Sequence, residues 1–556
     1  MPQVSLFAVL LVLLSSSSAI AQKRSATATS PDAPIPELRK AFRRGALTSQ
    51  ELTQQYLIRI ALFEDRLNGV ISVNPRVIEE AAARDRERLR GKGLGVLHGI
   101  PIALKDNIHT TNMPTTGGAL AFDGLVPPYE ATLVKNLRAA GAVILAKTSL
   151  TELANWVAGG PTPMPSGYNA LAGFSFNPYD PRRDPREAQL DGRPVLTPSG
   201  SSSGIGTAAG FWAANVGTET SGSILSPSNQ NMLVGIKPTV GRISRYGVIP
   251  ITADQDTAGP MARTVTDAAI LLGAMEGGAP DPHDPATRRC PPPPGRDYTK
   301  FLRRGGLRGA RIGIPRAFFF EVRGSRGGLT APQAVLMEEA IAVLKREGAT
   351  VVDPADIPSV VSGEFQKWGT CSGESGAKGK DDNCSVVFKY GMKRDFNAWL
   401  ASLGAAAPVK SLTALREFNR DHQRAGAIRF GQSNLDISDA MDIEADRARY
   451  ERDRARDIEL AGTRGIDAAI KEHRLDALLF PGSASASIAA KPGYPTIIVP
   501  FGFAPIDASD FPAGFEPKPA PLGVSFTAMA CAEPRLVEIG YAFEQATKRR
   551  VKPTLP

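Results

Sequence analysis

The residues best suited to chemistry lie in a stretch rich in serine, threonine and glycine, residues 197–227. Serine loops stand at both ends of this stretch, and the short apolar segment 208–216 lies between them. A serine hydroxyl becomes a nucleophile once a base takes its proton, and glycine allows close backbone approach. A flexible linker would share this polar composition, but linkers do not usually enclose an apolar segment. The apolar segment is predicted to be a short buried helix or the start of a helix, and the loops at its two ends are predicted to bring their hydroxyls together.

Lys105 is the candidate base for such a hydroxyl. It ends the apolar run 97–104, which is typical of a buried strand. Burial disfavours the ammonium form and lowers the pKa of a lysine, so a neutral amine becomes available to accept a proton. Considered without its neighbours, Lys105 would more often be a lysine at a strand end whose side chain reaches water.

The motifs around these residues resemble the amidase signature family, and within it the peptide amidase-like branch. They are residues 98–107 (HGIPIALKDN), 200–204 (GSSSG), 217–223 (GTETSGS), 235–239 (GIKPT) and 255–263 (QDTAGPMAR). The C-terminal segments 493–495 and 521–526 continue the match. The resemblance implies an α/β fold, with a central mixed twisted sheet covered by helices on both faces and a mostly helical insertion.

The same resemblance implies a catalytic triad without histidine. Ser223 would be the nucleophile, Ser201 the relay serine and Lys105 the base. Backbone N–H groups of the loop Thr220, Ser221 and Gly222 would form the oxyanion hole. The implied reaction is hydrolysis of a carboxamide C–N bond through an acyl-enzyme, and a peptide C-terminal amide is one candidate substrate.

This chain departs from the family pattern at three points. Ser221 stands where the family usually has Gly or Asp, and Leu225 replaces a common Arg. The spacing from the Gly-Ser-Ser motif to Ser223 is shorter by about two residues, roughly half a helical turn. Motif alignment assigns the relay to Ser201, whereas spacing alone would point to Ser199.

Two further residues are candidates for substrate contact. In the family the region that contains Asn155 and Trp156 lies near the mouth of the site. Packing of Trp156 in the protein core is an alternative to substrate contact, and the sequence favours neither. Residues 157–196 are rich in Pro, Gly and Asp and are predicted to form a loop over the site.

Other functional classes remain as alternatives. Residues 200–204 also match the nucleophile elbow of α/β-hydrolases, which would use Ser202 with His422 or His473. That elbow should follow a buried strand, and the sequence of residues 193–198 is not typical of a buried strand. One component of an amidotransferase acting on charged tRNA would share the same core, but its partner and substrate are cytosolic, and the signal peptide predicted below argues against it. A catalytically inactive binding protein on an amidase scaffold is the third alternative, although all three catalytic residue types are present.

The composition is that of an ordinary globular protein. The 556 residues are 42% hydrophobic and 22% charged, and the net charge of +9 is dispersed along the chain. We predict one amidase domain over residues 35–550, with its core at about 50–275 and 475–547 and the helical substrate-channel insertion at about 316–470. No recognisable nucleic-acid module and no metal motif are present, so we expect no cofactor, no metal and no nucleic-acid partner.

The N-terminus indicates export. The apolar run 4–14, followed by small residues and an Ala-x-Ala site, predicts a signal peptide over residues 1–21. Residues 22–34 are small and polar and are predicted to be disordered after cleavage. A secreted or periplasmic protein without a stable membrane anchor is therefore expected. Cys371 and Cys384 flank a Gly/Lys/Asp-rich loop and suggest a local disulfide, whereas Cys290 and Cys531 could pair or stay free.

Periodicity predicts the elements that position these residues. A helix capped by Ser49 is expected to bury an apolar stripe that ends at Leu62, and Thr264 is expected to cap a helix that runs to Met275. The strands predicted to close the fold are residues 475–480, 494–501 and 522–527, followed by a last helix over residues 533–547.

Overall fold

The computed structural model describes residues 29–92, 95–198, 203–323 and 328–555. The strands are β1 (Val70–Val73), β2 (Pro101–Lys105), β3 (Val143–Thr148), β4 (Tyr168–Asn169), β5 (Gly173–Phe174), β6 (Ala214–Glu219), β7 (Val234–Lys237), β8 (Thr257–Ala262), β9 (Arg311–Gly313), β10 (Thr350–Val352), β11 (Gly369–Thr370), β12 (Cys384–Ser385), β13 (Ala477–Pro481), β14 (Thr496–Ala504) and β15 (Ala520–Thr527).

The α-helices are α1 (Ile35–Arg43), α2 (Ser49–Leu67), α3 (Val77–Leu89), α4 (Thr132–Ala139), α5 (Gly204–Ala209), α6 (Leu225–Gln230), α7 (Val265–Met275), α8 (Ala331–Arg346), α9 (Pro358–Val361), α10 (Glu364–Lys367), α11 (Val387–Ser402), α12 (Leu412–Asp421), α13 (Ser433–Asp439), α14 (Arg447–Ile458), α15 (Asp467–His473), α16 (Ala486–Ala490) and α17 (Glu533–Thr547). A π-helix, Glu459–Ile466, joins α14 to α15.

One mixed sheet organises the described chain. Its eleven strands run in the order β1-β3-β2-β6-β8-β7-β14-β15-β13-β9-β10. Every residue of β2, β3, β6 and β13 is buried. Successive residues of a strand point to opposite faces, so both faces of the sheet are covered along these strands. The predicted α/β fold with a central mixed sheet flanked by helices is confirmed.

The N-terminal elements differ from prediction in detail. Thr48, not Ser49, caps α2, because the Thr48 hydroxyl accepts from Glu51 N and the Glu51 carboxylate accepts from Thr48 N. Ser49 lies inside the helix and donates to the carbonyl of Gly99 at 2.7 Å. Leu62, predicted to belong to the apolar stripe, is 61% exposed. The cap at Thr264 and the last helix, α17, agree with prediction.

The apolar segment 208–216 is not a single helix. Helix α5 ends at Ala209, where Gly210 adopts a φ of +74°, and β6 begins at Ala214. A left-handed glycine is a common helix terminator. The remaining residues become a strand because β6 fills the position between β2 and β8 in the sheet. Pairing within the sheet therefore overrides the local helical pattern.

The helical insertion begins later than predicted. Residues 350–352, within the predicted range 316–470, form β10, which pairs with β9 at the edge of the main sheet. Helix α8 joins these two parallel strands. The region from α9 to α15 is the largely helical part, and we refer to residues 358–473 as the insertion.

The described residues 29–34 lie against the protein body, which differs from the disorder predicted for residues 22–34. The carbonyl of Pro31 accepts a hydrogen bond from Tyr56 Oη at 2.7 Å, and Asp32 pairs with Lys552. The predicted signal peptide, residues 1–21, lies outside the described residues. Among the helices that the structure describes, none combines the length and apolarity needed to span a membrane.

Both cysteine pairs form disulfides. The predicted local bond joins Cys371 to Cys384, with their Cα atoms 5.0 Å apart. A second bond joins Cys290 to Cys531 across a sequence separation of 241 residues, with the Cα atoms 5.4 Å apart. The long-range bond lies beside the junction of the two halves of the sheet, because Cys531 N donates to Thr239 Oγ1 just after β7.

Candidate active site

Lys105 lies at the end of β2, an interior strand of the sheet between β3 and β6. Its side chain is fully buried, as the apolar run before it predicted. Strand β2 runs parallel to β6, and this pairing brings the end of β2 next to Thr218. The Nζ of Lys105 donates to Thr218 Oγ1 at 2.9 Å. Asn107 Nδ2 donates to the same hydroxyl oxygen at 3.0 Å, so both groups orient the Thr218 side chain.

Burial sets the protonation of this lysine. Removal from water lowers the pKa of Lys105 to about 7, while the nearby carboxylates of Asp256 and Glu219 act in the opposite direction. A substantial fraction of Lys105 is therefore a neutral amine near neutral pH. A lysine in this state can accept a proton from a hydroxyl.

Ser223 lies in a sharp turn between β6 and α6. Gly222, just before it, has a φ of +97°, a left-handed conformation that side-chain-bearing residues rarely adopt. Glu219, at the end of β6, reaches across the turn, and its Oε2 accepts from Ile224 N at 2.8 Å and from Leu225 N at 2.9 Å. The Ser223 side chain is nearly buried at 8% exposure. The glycine and the carboxylate together define the position of the predicted nucleophile.

The backbone of this turn presents N–H donors that have no acceptor among the described residues. Within the described part of the chain, the N–H groups of Ser221, Gly222 and Ser223 have no protein acceptor. Gly222 and Ser223 are buried, where backbone donors are normally paired, so N–H groups that have no acceptor among the described residues and lie beside a nucleophile suit an oxyanion. The side chain of Thr220, the other predicted member, is held in place because its hydroxyl donates to Asp256 Oδ1 at 2.5 Å.

The predicted relay serine, Ser201, lies outside the described residues, as do Ser199 and Ser202. The described residues on either side contact β8 and the end of α6. Ser203 is fully buried, and its hydroxyl lies 3.4 Å from Met261 Sδ on β8. On the other side, the carbonyl of Pro198 accepts from Asn231 Nδ2 at 3.3 Å, just after α6.

The two candidate substrate-contact residues have different surroundings. Trp156 is 6% exposed, its ring centroid lies 4.9 Å from that of Phe388, and its Nε1 donates to Ser438 Oγ at 3.1 Å. The Trp156 ring is therefore packed in the core. Asn155 is partly exposed and has a φ of +73°. It ends a run of left-handed residues that begins at Leu153, and backbone strain of this kind is typical of ligand-contacting loops.

Several residues of the site were not singled out from the sequence. They are Asn107, Thr218, Glu219, Gln255 and Asp256, all of which stand inside the family motifs. A polar side chain within a buried strand, such as Thr218, was a signal that could have revealed part of this set, because a buried polar group needs a partner.

The histidine-dependent alternative has no structural support in the described residues. His422 is exposed, and its Nδ1 contacts the carbonyl of Phe418 on its own helix. His473 lies at the end of α15, and its carbonyl accepts from Arg311. In the described ranges no group of three or more His, Cys, Asp or Glu side chains could hold a metal ion.

Comparison with known proteins shows which family the chain resembles. The family model described as Amidase matches residues 51–537. The chain is 35% identical over 552 residues to a probable amidase of Arabidopsis thaliana, covering 98% of this chain and 95% of the relative. It is also 31% identical over 517 residues to a glutamyl-tRNA(Gln) amidotransferase component of Thermosynechococcus vestitus, covering 92% of this chain and 98% of that protein.

Among solved structures, the native peptide amidase of Stenotrophomonas maltophilia is similar over 94% of this chain and 99% of its own. The TM-score is 0.79 and the sequence identity 38%. The shared fold, the family match and the near full-length relatives lead to one conclusion: the chain belongs to the amidase family and is a hydrolase that acts on amides.

Proposed function

We propose that this chain is an exported serine amidase that cleaves a carboxamide C–N bond through an acyl-enzyme on Ser223. The observation that carries the proposal is the juxtaposition of two features. Lys105 is a fully buried amine at the end of β2, and it contacts Thr218 on the strand that leads into the Ser223 turn. That turn presents the N–H groups of Ser221, Gly222 and Ser223, which have no acceptor among the described residues.

The proposed reaction begins with proton transfer. Neutral Lys105 takes a proton, through the hydroxyl of Ser201, from the hydroxyl of Ser223, and the Ser223 oxygen attacks the amide carbonyl. The carbonyl oxygen becomes an oxyanion that the N–H groups of the turn stabilise, a contribution of about 3–4 kcal/mol per donor. Ser201 then passes a proton to the leaving nitrogen, the C–N bond breaks, and water hydrolyses the ester on Ser223.

A small-molecule or peptide amide is the proposed substrate class. The similarity to a peptide amidase supports a peptide C-terminal amide, which would release ammonia and a free peptide carboxylate. No cofactor and no metal take part in the proposed mechanism, since the lysine and the serines supply the acid and base chemistry.

Export to an extracellular or periplasmic compartment is the second part of the proposal. The predicted signal peptide over residues 1–21 motivates it. Both disulfides, Cys371–Cys384 and Cys290–Cys531, support it, because such bonds persist mainly in oxidising compartments.

Labelling with a fluorophosphonate, followed by peptide mass mapping, tests the assignment of the nucleophile. We expect a tag on Ser223 that is lost in Lys105→Ala, together with ammonia release from an N-acetylated dipeptide amide. A tag on Ser202 that survives Lys105→Ala would instead indicate a histidine-dependent hydrolase. Absence of both the tag and ammonia release would favour an inactive amidase-like binding protein. Mass analysis of the exported protein tests cleavage after Ala21.

A further inference from the structure

We propose that Gln255 and Asp256 are positioning residues that hold the oxyanion loop, residues 220–223, in its reactive conformation. The inference rests on the proposed role of this loop in amide hydrolysis. Neither side chain is assigned to proton transfer or to attack on the substrate. Their role is to fix the Thr220–Ser221 peptide so that its N–H is directed toward the reacting oxygen.

Two hydrogen bonds connect this pair to Thr220. The Thr220 hydroxyl donates to Asp256 Oδ1 at 2.5 Å, and Gln255 Nε2 donates to the carbonyl of Thr220 at 3.2 Å. Gln255 is 2% exposed and Asp256 is 8% exposed. The side chain and the backbone carbonyl of one loop residue are therefore both held by buried groups from the segment just before β8.

Because the peptide unit is planar, the hydrogen bond to the Thr220 carbonyl also fixes the orientation of the Ser221 N–H. The cis peptide bonds of the described chain are Gly160–Pro161 and Asp353–Pro354, so the bond between Thr220 and Ser221 is trans. In a planar trans peptide the C=O and the following N–H point in opposite directions. Because Gln255 holds the Thr220 carbonyl on one side, the Ser221 N–H must point to the other side. That N–H has no protein acceptor among the described residues.

The segment 251–256 is itself anchored, so it can act as a rigid support. The second oxygen of Asp256 accepts from Ile251 N at 2.9 Å and from Thr252 N at 3.0 Å. The insertion holds the middle of the segment: Tyr450 Oη on α14 donates to the Asp254 carboxylate at 2.9 Å. Helix α11 adds Asp395, whose Oδ2 accepts from Ala253 N at 2.7 Å.

This support links the insertion to the oxyanion loop through a short chain of contacts. Helices α11 and α14 hold Ala253 and Asp254, and the next two residues hold Thr220. An oxyanion hole stabilises a transition state only if its donors are already oriented. The insertion is thereby assigned a role in catalysis in addition to any contact with substrate.

Steady-state kinetics on an N-acetylated dipeptide amide tests the inference with Asp256→Asn, Gln255→Met and Thr220→Val. We expect kcat to fall about 10- to 100-fold in each variant, because misplacement by about 1 Å can cost on that order. KM should stay within about threefold, because binding of the ground-state amide does not require the oriented donor. Thr220→Ser, which keeps the hydroxyl, should recover most of the kcat that Thr220→Val loses.

Two controls separate positioning from loss of stability. Asp281 is another carboxylate with 8% exposure that accepts from hydroxyls, those of Ser244 and Thr132, outside the site. Asp281→Asn should lower the thermal midpoint without changing kcat. The double variant Asp256→Asn with Thr220→Val should lose no more kcat than the larger single loss, since Asp256→Asn weakens the same hydrogen bond that Thr220→Val removes.

The result that would overturn the inference is a wild-type kcat in Asp256→Asn or Thr220→Val, or losses that simply multiply in the double variant. If Asp256→Asn does not fold, the comparison of kcat between Thr220→Val and Thr220→Ser decides the question. Failure of the proposed function is recognised separately, because the wild-type protein would then release no ammonia and carry no tag on Ser223.

Discussion

At the scale of single residues, the site depends on a lysine placed where a lysine is unstable in its charged form. Among the described residues, no carboxylate lies within hydrogen-bond reach of Lys105, which makes its 2.9 Å hydrogen bond to the hydroxyl of Thr218. The carboxylates of Asp256 and Glu219 act on it only through their charge. Lys147, in the adjacent strand β3, shows the contrasting arrangement: it is equally buried but lies 3.1 Å from Asp106, with which it forms an ion pair. A hydroxyl partner keeps Lys105 available as a base.

The pH dependence of kcat/KM follows from this arrangement. Burial lowers the pKa of Lys105 to about 7, so the active neutral amine forms as the pH rises, and kcat/KM should increase through an apparent pKa near 7. Burial also raises the pKa of Asp256 to about 7, so the two groups ionise in the same range. Asp256→Asn removes a negative charge that favours the ammonium, and the rising limb should move to lower pH.

Glu64 provides the control for that measurement. Burial raises its pKa to about 8, but it lies on α2, where Val70 N donates to its Oε1 at 2.6 Å. Glu64→Gln should leave the pH profile of kcat/KM unchanged. A profile that is flat from pH 6 to about pH 9 in the wild-type enzyme would contradict the role of Lys105 as the base.

At the scale of secondary-structure elements, the site is assembled from strand ends and the turns that follow them. Strand β2 ends in Lys105, and β6 ends at Glu219, just before the turn with Ser223. Strand β8 begins directly after Asp256. Because these strands are neighbours in the sheet, residues far apart in the chain meet at one edge. Helix α11 then packs on the segment 251–256, with Gly391 against Thr252.

Gly391→Ala tests the contact between this helix and the segment. An added Cβ would overlap the Thr252 side chain, so α11 or the segment must shift. We expect kcat for the dipeptide amide to fall about 10- to 100-fold. Overpacking should also lower the free energy of unfolding by about 1–3 kcal/mol.

The matched control for Gly391→Ala is Gly305→Ala, where a Cβ would meet nothing within 4 Å. That variant should keep the wild-type kcat and unfold close to the wild-type midpoint. A Gly391→Ala enzyme that is less stable but has the wild-type kcat would show that α11 supports the fold without orienting the oxyanion loop.

At the scale of the whole molecule, the main sheet joins six strands from the N-terminal half of the chain to five from the C-terminal half. The N-terminal strands are β1, β2, β3, β6, β7 and β8, and the C-terminal strands are β9, β10, β13, β14 and β15. The junction is the antiparallel pairing of β7 with β14. The buried Lys237 strengthens it, because its Nζ donates to the carbonyl of Tyr494 at 2.6 Å. The Cys290–Cys531 disulfide ties the same two regions covalently.

Removal of the disulfides should therefore have unequal effects on stability. Chain-entropy estimates give about 3 kcal/mol for the short loop closed by Cys371–Cys384 and about 5 kcal/mol for the long loop closed by Cys290–Cys531. Urea unfolding of the two paired Cys→Ser variants checks the order. Equal losses in the free energy of unfolding, or a larger loss for the Cys371–Cys384 pair, would contradict the larger stabilising effect expected of the long-range bond.

Much of the site was readable from the sequence because its residues stand in local motifs. The family, the fold class and the candidates Lys105 and Ser223 follow from such motifs, and the lowered pKa of Lys105 follows from the apolar run before it. The local disulfide follows from the short loop between its cysteines. These inferences need only neighbouring residues, because strand character, burial and turn formation are encoded over a few positions.

Only the tertiary structure decided which distant residues meet. The local pattern of the segment 208–216 predicted a short helix or the start of one, but pairing within the sheet makes its last residues the beginning of β6. Trp156 could have faced substrate, and packing placed its ring in the core. Gln255 and Asp256 form hydrogen bonds with Thr220, although they lie 35 and 36 residues away from it in the chain. Such contacts depend on strand order and on the packing of the insertion, which no local pattern specifies.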